Sequence, residues 1–314
     1  MNRKKFLKSL GVMAAVAAST TTAGMARTVS EALTKKMPQQ NRKVIGIQVY
    51  SVRQLMNQDV PGTLKGLADC GYLAIEGFGY NNSMYFNINI NEFDKMVKDL
   101  GMKITSSHLG ARYTPDTANV ALDWWKDTAD KHKAIGCNTL VIPSLPTAGR
   151  GVPMEVDHLG PLCEFINKVN EIAKERGMRA GFHNHAIDER TMQNGKRVLD
   201  YLIENTDPSF FIQLDNHNMV YTYADGRIVV NPAGRSPIEF LHQYKSRVKV
   251  LHVKDDNIIG ASGNVDFREL FTTAAQYGIY EPIVEIENYP VDMMECMCRS
   301  YAYLSAAPYV QYFG

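Results

Sequence analysis

Long apolar runs are scarce: no stretch of the 314 residues reaches the ~18–20 apolar positions that a membrane-spanning helix requires. Nor is there an excess of basic charge. Lys and Arg total 34 against 33 Asp and Glu, so the positive field that holds nucleic acid non-specifically is missing. Cysteine is sparse and scattered. Cys70, Cys137, Cys163, Cys296 and Cys298 show neither a pair-of-pairs zinc spacing nor a disulfide framework. Cys296 and Cys298 are the only close pair, and two residues apart in a helix their side chains diverge, so all five are expected to be ordinary buried or half-buried thiols. Internal repeats, low-complexity tracts and domain-splitting linkers are also lacking. What is present is 45% hydrophobic and 10% aromatic residues, enough for a packed core and too much for disorder over most of the chain.

The N-terminus has the three-part layout of a secretory signal peptide. Arg3, Lys4, Lys5 and Lys8 precede the apolar stretch Leu10–Ala18, and a small-residue tract runs from Ser19 to Ala26. Arg3-Lys4-Lys5-Phe6-Leu7-Lys8 resembles a twin-arginine export signal with Lys4 in place of the second arginine. No lipoprotein box follows. Residues 1–26 are therefore expected to direct export, placing the mature chain in the periplasm, with residues 27–43 as a polar lead-in. Removing 1–26 takes four basic residues and no acidic one, leaving 30 against 33 and a net charge of −3.

From residue 44 onward, short β-branched or apolar runs alternate with longer segments of helical period. The runs are Val44–Tyr50, Tyr72–Gly77, Lys103–Leu109, Thr139–Ser144, Arg179–His185, Phe210–Asp215, Val248–Lys254 and Pro282–Glu287, and their starts lie 28 to 40 residues apart. Each interval fits one strand, one helix and two loops. Leu159, Leu162, Ile166, Val169 and Ala173 trace one buried helical face that Gly177 ends, and Gly71, Gly101, Gly136 and Gly278 stand where left-handed caps are wanted. Eight such units over residues 44–314 give the count and size of a single-domain α/β protein, a (β/α)8 barrel, with a C-terminal helix within Met293–Val310. A doubly wound open sheet is the competing architecture. It would carry a Gly-rich phosphate turn after its first strand, where this chain has Ser51-Val52-Arg53.

In such a barrel the C-terminal ends of the strands converge on one mouth, where catalysis takes place. Those positions hold Gln48 and Tyr50, Glu76, His108, His183-Asn184-His185 followed by Glu189, Asp215-Asn216-His217, His252 with Lys254 and Asp255, and Glu285 with Glu287. Hydrogen bonding that closes the barrel top explains any one of them. Carboxylates and histidines at four consecutive strand ends point instead to a divalent ion held by oxygen and imidazole, Mn²⁺ or Mg²⁺ preferred, Zn²⁺ or Co²⁺ possible. Tyr50, Phe78, Trp124 and Trp125 are candidates to stack on a sugar, although the adjacent tryptophans lie in a helix and fit core packing better.

Four segments carry a resemblance to a known family: Gly46-Ile47-Gln48-Val49-Tyr50-Ser51-Val52-Arg53, Phe182-His183-Asn184-His185, Leu251-His252-Val253-Lys254-Asp255 and Val284-Glu285. They resemble the sugar isomerase/epimerase group with its xylose-isomerase-like TIM barrel, shared by ketose 3-epimerases, inosose dehydratases and, more distantly, endonuclease IV. The resemblance spans about residues 42–314. It implies one ion held by Glu, Asp, His and Glu, of which Asp215, His252 and Glu285 match the last three. At the end of strand 5, where the ketose epimerases have a glutamate ligand, this chain reads His183 to Glu189. Glu189 is the preferred replacement because it preserves the ligand charge, with His183 and His185 as alternatives.

The resemblance implies proton abstraction next to a sugar carbonyl, with Glu285 and Glu189 as proton-transfer groups. Gln48, Tyr50, Glu76, His108, His183, His185, His217 and Lys254 would contact the sugar. Isomerisation or epimerisation is the expected outcome. A lyase or dehydratase acting on keto-sugars or 3-keto-glycosides shares the first half-reaction. A non-catalytic sugar-binding protein and an endonuclease IV-like phosphodiesterase are the remaining classes, and the near-zero charge and export signal speak against the second. The expected partner is a small-molecule sugar, with no nucleic acid and no membrane span.

Overall fold

A computed structural model describes residues 43–110, 113–146 and 154–310. The expected signal peptide and all of the lead-in except Lys43 lie outside the described residues. Eight parallel strands close in sequential order: β1 (Gly46–Gln48), β2 (Ala74–Gly77), β3 (Lys103–His108), β4 (Thr139–Ile142), β5 (Arg179–His183), β6 (Phe211–Asp215), β7 (Val248–Val253) and β8 (Pro282–Val284), with β8 pairing back to β1. The open sheet is thereby excluded. Among the described residues, besides the four-residue helix Arg53–Met56, one longer helix follows each strand in turn: α1 (Val60–Cys70), α2 (Ile90–Asp99), α3 (Ala118–Ala134), α4 (Val156–Glu175), α5 (Val198–Asn205), α6 (Pro237–Tyr244), α7 (Phe267–Gln276) and α8 (Met293–Ala306). No described helix is long and apolar enough to cross a membrane.

Several strands stop earlier than their apolar runs suggest, because side chains take over from the ladder. β1 ends at Gln48, whose amide oxygen accepts the Tyr50 N–H and starts a 3-10 turn over Val49–Val52. Two short antiparallel ribbons were not anticipated, Met84–Tyr85 with Ile88–Asn89 and Tyr221–Ala224 with Arg227–Val230. Trp125 is fully buried in α3 and Trp124 packs beside Tyr80, the core role rather than the stacking one.

The interior is layered. Alternate residues of a strand point inward, and Val141, Phe211, Val250 and Ile283 form a small apolar plug separate from the main core. Gly181 makes room for it: a Cβ there would come within 2.6 Å of the Phe211 ring. Two residues beyond Phe211, Val250 and Ile283 stand the polar Gln213, His252 and Glu285. The ladder pairs Gln48 with Glu76, Glu76 with Ser106, His183 with Gln213, and Asp215 with His252. Outside the strands, the predicted face of α4 is buried at Leu159, Leu162, Ile166, Val169 and Ala173.

The cysteine expectation is corrected. Cys70, at the end of α1, and Cys298, in α8, form a disulfide with Cα atoms 4.7 Å apart, while Cys137, Cys163 and Cys296 are free and buried. Closure of the barrel sets the first helix beside the last, a neighbourhood that a separation of 228 residues hides. Gly71 follows Cys70 with φ +113°, and a Cβ there would stand 2.4 Å from the Tyr301 ring, so only glycine turns the chain here. Cross-linking so long a loop stabilises by roughly 2–5 kcal/mol. Cys298→Ser is therefore expected to lower Tm by about 5–15 °C in calorimetry; an unchanged Tm would show that the bond does not form in solution.

Candidate metal centre

Four buried side chains from four adjacent strand ends meet inside the mouth. One ligand atom each from His183, Asp215, His252 and Glu285 lies within 4.8 Å of the others. Asp215 and His252 are ladder partners, and Glu285 follows β8 directly. His252 Nδ1 is 3.3 Å from Glu285 Oε2, and His183 Nε2 is 3.9 Å from Asp215 Oδ2. The Nδ1 atoms of both imidazoles are buried with no hydrogen-bond partner. Orphaned buried nitrogens are costly, and one nitrogen from each ring beside two carboxylates is a donor set a divalent ion takes.

Asp215 and His252 are held from behind. Asp215 Oδ1 accepts the backbone N–H groups of His217 and Asn218 at 2.9 and 2.8 Å, and Oδ2 accepts the Asn218 amide at 2.8 Å. Its own N–H donates to Asn184 Oδ1 at 2.9 Å. His252 Nε2 lies 2.7 Å from Glu76 Oε1. Glu76 also accepts from Gln48, Ser106 and Gln213, and His108 Nε2 sits 3.0 Å from it.

The electrostatics favour a cation. Burial alone would lower the His252 pKa, but Glu285 and Glu76 on its two sides push it up to about 10. Burial raises the Glu285 carboxyl, yet Lys254 and His252 carry it well below the usual carboxylate range. His183 is held well below the ordinary imidazole value, by burial first and then by neighbouring imidazoles, which leaves it neutral and able to ligate. Lys254 stays charged because Glu285, Asp215 and Glu287 outweigh its burial. Its Nζ is 2.7 Å from Glu287, 3.6 Å from Glu285 and 3.8 Å from Asp215.

The remaining sequence candidates divide by depth. Gln48, Glu76 and His108 form a buried network beneath the donors, with His108 Nε2 also 2.8 Å from Gln213 Oε1. His183, His252 and His108 likewise stand close together, but His108 is engaged by Gln213 and Glu76. Tyr50 sits half-buried at the rim, edge-on to Phe78 and beneath the Arg53 guanidinium. His185 is half-buried, its ring centroid 4.8 Å from that of His183. The His217 ring is committed, tilted against Tyr221 with ring centroids 4.7 Å apart and Nε2 3.0 Å from Asp256 Oδ1.

Glu189 is not brought to this group. It is fully buried elsewhere, with Arg235 and Arg197 at 2.8 and 3.1 Å from Oε2. Two guanidiniums already neutralise it, and the short helix Ala186–Glu189 turns it away from the line of β5. Glu189→Ala is expected to leave metal stoichiometry unchanged while costing about 3 kcal/mol through loss of the buried ion pairs to Arg235 and Arg197; loss of one bound ion per chain, by elemental analysis, would restore it as a ligand. Gln213 and Ser106 were missed as site residues. The usable signal was alternation, since each stands two positions before a recognised residue, Asp215 or His108.

Residues 64–295 match the family model described as xylose isomerase-like TIM barrel. An inosose dehydratase of Geobacillus kaustophilus is 23% identical over 222 residues, which span 64% of this chain and 66% of that protein. One from Clostridium perfringens is 30% identical over 95 residues, only 30% of this chain and 27% of the relative. Among solved structures, a sugar phosphate isomerase/epimerase from Parabacteroides distasonis superposes with a TM-score of 0.76 at 31% identity, covering 88% of this chain and 98% of that one. An L-ribulose 3-epimerase shares the fold at 16% identity with a TM-score of 0.57, covering 83% and 93%.

Proposed function

The chain belongs to the xylose isomerase-like TIM-barrel family, and on that footing we propose that it holds one divalent ion on His183, Asp215, His252 and Glu285 and removes the proton beside a sugar carbonyl, returning an isomer or epimer. The observation that carries this reading is the buried four-donor group at the strand ends. Two carboxylates and two imidazoles suit Mn²⁺ or Mg²⁺, with Zn²⁺ or Co²⁺ also accommodated. When bound, the ion acts as a Lewis acid on the carbonyl and the adjacent hydroxyl.

The chain's own groups do the rest. Glu285 takes the proton from the carbon between the two oxygens, leaving an enediolate. Lys254, kept charged among three carboxylates, holds a substrate oxygen and steadies the developing negative charge. His185 at the rim supplies a second proton carrier. Tyr50 and Phe78 form an apolar flank for a sugar ring.

Dehydration or lyase chemistry is the second reading. The end of β5 brings His183 rather than a carboxylate to the donor group, leaving Glu285 as its proton-accepting carboxylate, and curated relatives are inosose dehydratases. The enediolate then expels a group from the next carbon instead of regaining a proton. Export is supported by the Cys70–Cys298 disulfide, a bond that persists in oxidising compartments. An exported enzyme meets glycans more readily than sugar phosphates.

The test is exchange of the carbonyl-adjacent proton with solvent deuterium, on free ketoses and on 3-keto-glycosides, with and without added Mn²⁺. Metal-dependent exchange with every carbon and oxygen retained means isomerase or epimerase; release of water or an aglycone means lyase. Exchange on neither class removes the enediolate reading. Lys254→Ala is expected to keep the ion and lose at least about tenfold in kcat/KM, because an ammonium is no metal ligand; loss of the ion instead would contradict its role.

A further inference from the structure

We propose that Glu76 is a positioning residue for the ion site: it accepts the His252 Nε2–H, fixes the ring's tautomer and thereby presents Nδ1 as the ligand atom. This rests on the ion-binding reading above. The protonation follows from the hydrogen bonds. Glu76 Oε1 accepts from Gln48 Nε2 at 2.9 Å, and Oε2 accepts from Ser106 Oγ at 2.7 Å and Gln213 Nε2 at 2.8 Å. The Gln48 amide cannot be turned round, because its own oxygen accepts the Tyr50 N–H at 3.1 Å. A carboxylate so surrounded by donors is an acceptor only, so the 2.7 Å contact to His252 Nε2 requires the hydrogen on that nitrogen. That leaves Nδ1 as the nitrogen that can give up its proton to an ion, and it faces Glu285 Oε2 at 3.3 Å, buried and with no hydrogen bond of its own.

The arrangement is built, not incidental. Glu76 is fully buried, and its holders come from β1, β3 and β6 while its client is on β7. A buried charge is costly, and apolar residues of similar volume would commonly serve stability as well or better. What this charge adds is a rigid imidazole. A carboxylate behind a ligating histidine both orients the ring and raises its basicity, and losing it typically weakens metal affinity 10–100-fold.

The experiment uses the whole protein with ¹⁵N-labelled histidine and ¹¹³Cd²⁺ as the probe, the His252 signals being identified by their loss in His252→Gln. The expected result is a cadmium–nitrogen coupling at Nδ1 with the proton on Nε2. Coupling at Nε2 overturns the inference while leaving the ion site intact; no cadmium at His252 overturns the ion reading and this inference together. In parallel, Glu76→Gln keeps shape and removes charge. It is expected to raise the calorimetric Kd for Cd²⁺ and Mn²⁺ about 10–100-fold with circular dichroism unchanged. A folded variant whose Kd stays within twofold of the parent overturns the proposal.

Discussion

Glu285→Gln lowers metal-dependent proton exchange at least about a thousandfold, equivalent to roughly 4 kcal/mol of barrier. The substitution keeps the side-chain shape and removes two things at once, an anionic ligand and the base. The loss is large because Glu285 is buried beside Lys254 Nζ at 3.6 Å and His252 Nδ1 at 3.3 Å, where a neutral amide replaces neither the negative charge nor the base. Measuring at saturating Mn²⁺ separates the two losses, since restored occupancy still leaves no carboxylate to accept the proton. Exchange within tenfold of the parent under those conditions would move the base elsewhere, with Glu287, the carboxylate 2.7 Å from Lys254, the first place to look.

Stripping the ion with a chelator is expected to abolish exchange and to destabilise the barrel together. An ion that binds only the folded chain stabilises it by about 2.7 kcal/mol at ~100 times its Kd, or about 5–10 °C in Tm for a chain of this size. The physical source is the donor group: Asp215 and Glu285 are buried carboxylates that share Lys254 as their ammonium partner, and two buried Nδ1 atoms have no hydrogen bond. Re-addition of Mn²⁺ or Mg²⁺ should recover both activity and Tm. A chelated enzyme with unchanged Tm and full exchange would remove the metal from the mechanism.

The barrel was legible because its signals are local. Apolar runs, helical faces such as Leu159–Ala173 and capping glycines each lie within a few consecutive residues, and repetition eight times admits few architectures. Asp215, His252 and Glu285 were legible as strand-end residues. What failed was long-range. The Cys70–Cys298 bond depends on barrel closure, which no local pattern encodes. The preference for Glu189 over His183 rested on charge alone; the arginines that occupy Glu189 come from residues 197 and 235, brought in by the chain after β5 and by the loop before α6. Glu76 was read as a sugar contact. Its register opposite Gln48 and Ser106, which buries it beneath the donors, appears only once the strands are paired.

Anomalous diffraction from crystals grown with saturating Mn²⁺ addresses the ion site most directly. One strong peak per chain is expected, within about 2.0–2.4 Å of donor atoms from His183, Asp215, His252 and Glu285. A Mn²⁺ peak seated on Glu189, or no peak among these four side chains at saturating Mn²⁺, would contradict the site and the chemistry assigned to it.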